Sequence, residues 1–85
     1  MRLSELNPVL DTEDTLPGGA WLHFDCPHCG GKGYIGVKIA LEPEPGSKRV
    51  WKWNGKGVEE MTLEPSLNMS GHWHGFVKNG EVTNA

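Results

Sequence analysis

Glycine and proline recur so often along this chain that a helical bundle is excluded. The 85 residues include 12 glycines and six prolines. Both residue types break helix interiors, glycine through its backbone freedom and proline through its missing N–H. Their share stays below that of a disordered chain, and four tryptophans require a core that can receive them.

The stretches between the breakers alternate with the period of a strand. In Ala20-Trp21-Leu22-His23-Phe24-Asp25, Leu22 and Phe24 share one face, while Trp21, His23 and Asp25 share the other. Ile35, Val37, Ile39 and Leu41 line one face of a strand over 34–41. Residues 49–53 alternate again around Trp51 and Trp53. Asn54-Gly55 predicts a two-residue hairpin turn, with a return strand over 56–63 that Glu64-Pro65-Ser66 breaks. A strand over 72–77 and a hairpin at Asn79-Gly80 follow. The expected fold is all-β: a small antiparallel sheet, similar to a zinc ribbon, as one domain over 20–85. Residues 1–19 form an irregular N-terminal arm, anchored on the sheet by Leu3, Leu6, Val9 and Leu10.

A domain of 9.4 kDa has a modest core and often needs a covalent or metal staple. Two cysteines and four histidines are the available material. Cys26-Pro27-His28-Cys29 ends a predicted strand and is followed by Gly30-Gly31-Lys32-Gly33. Two thiolates three residues apart meet one tetrahedral zinc ion when the chain between them turns tightly. The segment also matches the Cys-x-x-Cys-x-Gly-x-Gly repeat of Hsp40-type chaperones, but as a single copy, so chaperone function is not carried over. His72-Trp73-His74 lies in a predicted strand, which points both imidazoles to one face. Cys26, Cys29, His72 and His74 are therefore the expected Zn2+ ligands, with His23 the main competitor for a histidine place. A thioredoxin-like redox pair would instead require a helix after the cysteines. A structural disulfide fits poorly with a reducing compartment.

The formal net charge of −3 disfavours generic duplex binding through a basic surface. A local patch of Lys48, Arg49, Trp51, Lys52, Trp53 and Lys56 leaves single-stranded nucleic acid as an alternative partner. The tryptophans otherwise read as core and edge packing. The glutamates read as a solvated rim. No phosphate-binding glycine loop is present, and no Ser-His-Asp or Cys-His catalytic set is suggested. Neither a signal peptide nor a membrane-spanning run is expected, which points to the cytoplasm.

Several of these segments together resemble a family of small uncharacterised bacteriophage and prophage proteins. They are Leu3-Ser4-Glu5-Leu6-Asn7-Pro8, Leu22-His23-Phe24-Asp25-Cys26-Pro27-His28-Cys29, Trp53-Asn54-Gly55, Met61-Thr62-Leu63-Glu64-Pro65-Ser66, and Gly71-His72-Trp73-His74-Gly75-Phe76-Val77-Lys78-Asn79-Gly80-Glu81. The resemblance covers nearly the whole chain. It implies a phage-type protein in the bacterial cytoplasm. The expected function is a non-enzymatic interaction module with one structural zinc, binding a host or phage protein. A single-stranded nucleic-acid binder is the alternative, with a zinc hydrolase or a redox protein as weaker ones.

Overall fold

The computed structural model describes residues 1–12, 18–27, 33–46, 49–69 and 71–85. Its seven strands make one curled sheet in chain order. They are β1 (Val9–Asp11), β2 (Gly19–Asp25), β3 (Tyr34–Ala40), β4 (Val50–Trp53), β5 (Leu63–Met69), β6 (Trp73–Lys78) and β7 (Glu81–Asn84). The all-β expectation holds. One detail differs from an all-antiparallel sheet: β3 and β4 run parallel, with Lys38 opposite Val50 and Ala40 opposite Lys52. The chain after β3 travels back along that strand before β4 begins, as any parallel pair requires.

β2 and β3 keep step over seven residue pairs, from Gly19 opposite Ala40 to Asp25 opposite Tyr34. Their alternation buries Ala20, Leu22, Phe24, Ile35, Val37 and Ile39 on one side. Full burial of each large aliphatic or aromatic side chain contributes about 1.5–3 kcal/mol. β5, β6 and β7 add Leu63, Leu67, Trp73, Val77 and Val82 to the same core. Phe24 meets Trp73 edge to face, with ring centroids 6.2 Å apart, which couples the two halves of the sheet.

The N-terminal residues touch both ends of this strand order. A 3-10 helix, Leu3–Leu6, buries Leu3 and Leu6. The Glu5 carboxylate accepts the Arg2 N–H at 2.9 Å. Ahead of the helix, the Leu3 N–H donates to the Gly80 carbonyl at 2.8 Å, and the Val82 N–H to the Met1 carbonyl at 2.7 Å. After it, β1 pairs with β2. The first residues thus cover the edge of β7 that would otherwise be open to pairing with another chain.

The predicted return strand over 56–63 does not form. Asn54 satisfies the loop's backbone with its side chain: Nδ2 donates to the Glu60 carbonyl at 2.9 Å and Oδ1 accepts the Lys56 N–H at 3.2 Å. The strand starts instead at Leu63 and runs through Pro65. Leu63 stands opposite Val77, and Leu67 opposite Gly75. Glu64, Pro65 and Ser66 therefore span the distance that Phe76 alone spans on β6. In such a bulge the ladder is already interrupted, so a residue without an N–H is accommodated.

Candidate active site

The register beyond the bulge determines where Ser66 points. There β5 and β6 are back in step, with Asn68 opposite His74 and Met69 opposite Trp73. β6 alternates strictly: Trp73, Gly75 and Val77 face the core, while His74, Phe76 and Lys78 face outward. Ser66 stands beside Phe76 and one step diagonally from His74, a spacing that side chains bridge across neighbouring strands. Its Oγ lies 3.2 Å from His74 Nε2. At that separation the hydroxyl can donate to an unprotonated Nε2.

Both partners are held through their backbones. The Trp51 indole N–H donates to the Ser66 carbonyl at 3.2 Å, spanning the place where β4 and β5 have parted. The His74 carbonyl accepts the Ala85 N–H at 3.0 Å. A hollow of about 630 Å³ opens next to Ser66, walled by Pro65 and Phe76 and flanked by Lys52, Glu64 and Lys78. Lys78 Nζ sits 5.6 Å from the centre of the Phe76 ring. The result is a hydroxyl aimed at an imidazole on an accessible face, with space beside it for a substrate.

The expected zinc ligands are distributed differently. Cys29 and His28 lie outside the described residues. Cys26 follows β2, is only 3% exposed and belongs to the core; its sulfur is disulfide-bonded. His74 projects from the opposite, outward face of the sheet and meets Ser66. His72 sits in the turn before β6 rather than in the strand, and it lines a second hollow with Trp21 and Trp51. His23 stacks edge-on between Trp21 and Tyr34, at 6.1 and 5.6 Å. Among the described residues, no three His, Cys, Asp or Glu side chains gather into a metal-binding group. Of the expected nucleic-acid platform, Lys48 lies outside the described residues. Trp51 and Trp53 pack against the core, and the Trp53 indole N–H is held by the Lys56 carbonyl at 2.9 Å.

Sequence reasoning passed over Ser66, reading Glu64-Pro65-Ser66 as a strand breaker. A usable signal was present. A hairpin turning at Gly71, with Asn68 opposite His74, puts residues 66, 68, 74 and 76 on one face by alternation alone.

A serine hydroxyl presented to a histidine beside an open hollow is the arrangement serine hydrolases use to make a nucleophile. The chain belongs to the BubE family, described as a bacterial ubiquitination-like system serine protease, which it matches over residues 3–85. No curated protein and no solved structure matches it significantly. Family membership corrects the resemblance to phage and prophage proteins and the reading as a non-enzymatic zinc module, because the family is one of proteases. It likewise replaces the nucleic-acid, zinc-hydrolase and redox alternatives. The expectation of protein partners agrees with a ubiquitination-like system.

Proposed function

We propose that the protein is a serine protease that cleaves an amide bond in a polypeptide of a bacterial ubiquitination-like system, with Ser66 as nucleophile and His74 as general base. The observation that carries this is the 3.2 Å contact between Ser66 Oγ and His74 Nε2 at the rim of a substrate-sized hollow. The family description supports the same chemistry.

In the first step Ser66 Oγ attacks the carbonyl carbon while its proton passes to His74 Nε2. The tetrahedral intermediate collapses as the imidazolium gives that proton to the departing nitrogen. An amine leaves and an ester to Ser66 remains. Water then attacks the ester, delivering its proton to His74, which returns it to Oγ as the acid product departs. The Trp51 hydrogen bond and the bulge keep the nucleophile in place through both halves. The role of His74 requires the tautomer with its proton on Nδ1.

A fluorophosphonate probe tests this directly, since it reacts with activated serines. Labelling should map to Ser66 by peptide mass analysis and disappear in Ser66→Ala and His74→Ala. Labelling that persists in Ser66→Ala, with the adduct on another serine, would overturn the assignment.

A further inference from the structure

Two hollows meet β5 on either side of the Ser66–His74 pair. One takes residues 63–66; the other, about 510 Å³, takes Asn68 and Met69. The described residues of their walls carry a charge opposite to that of the whole chain. Lys52 and Lys78 flank the first, and Lys38 and Arg49 the second. Among the described residues lining the two, Glu64 is the one carboxylate. The chain as a whole is at −3. Among the described residues, the ion pairs join Met1 and Arg2 to Glu81 and Lys56 to Glu60, so Arg49, Lys52 and Lys78 keep their charge for an incoming group. Arg49 also holds a left-handed backbone, with φ of 63°, a conformation that costs energy in a residue with a side chain and concentrates at functional positions. Trp21, Trp51 and Phe76 supply flat apolar surface beside the cations.

We infer that the segment cleaved is an extended acidic one, with Asp or Glu on both sides of the scissile bond and apolar groups between them. This rests on Ser66 being the nucleophile and names what that site accepts. Charge complementarity concentrates such a segment on an otherwise acidic protein and repels a basic one, an effect that weakens with salt. Lodged along β5, it would run from the Lys52 and Lys78 hollow to the Arg49 hollow and bring its carbonyl past Ser66.

The test uses the whole protein with hexaglutamate and hexalysine as probes. Binding is read by tryptophan fluorescence, because Trp21 and Trp51 line one hollow. Occupancy of the active site is read as the rate of fluorophosphonate labelling. Hexaglutamate should bind and slow labelling about tenfold at low salt, and hexalysine should do neither. Protection should vanish at about 0.5 M salt. Arg49→Gln with Lys78→Gln should abolish protection, read as the ratio of labelling rates with and without hexaglutamate in the same variant. The charge-reversed pair, Arg49→Glu with Lys78→Glu, should transfer protection to hexalysine, with thermal melting confirming that both variants fold. Normal labelling with no hexaglutamate protection overturns the acidic preference and leaves the nucleophile standing. Hexaglutamate binding without any labelling overturns the nucleophile, and the substrate role with it.

Discussion

The β2–β3 and β5–β6 hairpins are built from similar alternating residues but use them differently. β2 and β3 stay in step for their full length, and every inward side chain adds to the core. β5 and β6 lose step between Leu63 and Leu67, where three residues oppose one. The regular hairpin provides stability. The irregular one interrupts its ladder just before Ser66, and the in-step residues beyond set the serine diagonally from His74. A bulge re-aims a side chain without disturbing the strand on either side, so Leu67 and Leu63 still reach the core.

The largest expected effect lies in the irregular hairpin. Ser66→Ala should lower hydrolysis of an activated ester by at least about 10³-fold, and His74→Ala by about 10²–10⁴-fold. Both side chains are on the outward face, so the urea midpoint should shift by no more than about 1 kcal/mol equivalent. A large loss of stability with retained esterase activity would break the division between the two hairpins.

Glycine substitutions come next, and they compare the hairpins directly. A Cβ at Gly75 would run into the Thr83 carbonyl and the Trp73 ring, whereas one at Gly36 meets only the His23 ring at 3.4 Å. Gly75→Ala should therefore destabilise by about 3 kcal/mol or more through overpacking. Gly36→Ala should stay within about 0.5 kcal/mol of the parent. Thermal melts of the two variants side by side would decide it.

Trp51→Phe keeps an aromatic ring but removes the donor to the Ser66 carbonyl. Stability should fall by about 1 kcal/mol. Turnover should fall by about tenfold, since small misplacement of a nucleophile is costly. Equal, minor effects on both would mean that the bulge holds Ser66 unaided. The smallest change is expected from Asn54→Ala, in the loop that replaces the predicted return strand. Losing two exposed hydrogen bonds should cost about 1 kcal/mol with turnover unchanged, as measured by denaturation and by esterase assay.

Much of the architecture could be read from residue patterns. Alternation marked β2, β3, β4 and β6 close to their observed limits, the Asn79-Gly80 turn marked β7, and the breakers excluded a helical bundle. The errors share a cause: local chemistry was given the strongest available partner. Asn54-Gly55 favours a tight hairpin, but Asn54 uses its side chain to hold a nine-residue excursion. Pro65 normally ends a strand, yet it fits where the ladder is out of step. Cys26, His72 and His74 are good zinc ligands by type; Cys26 lies in the core after β2, His72 in the turn before β6 and His74 on the outward face of β6.

The sequence by itself determined the class of fold, because period-two alternation and turn residues act over a few neighbouring positions and need no distant partner. It also contained the Ser66 and His74 side chains. Only the tertiary structure decided that they meet. Their contact depends on the register between two strands, which sets Leu67 opposite Gly75 and Asn68 opposite His74. That register is fixed by which side chains of both strands fit the shared core, a condition no single segment can state.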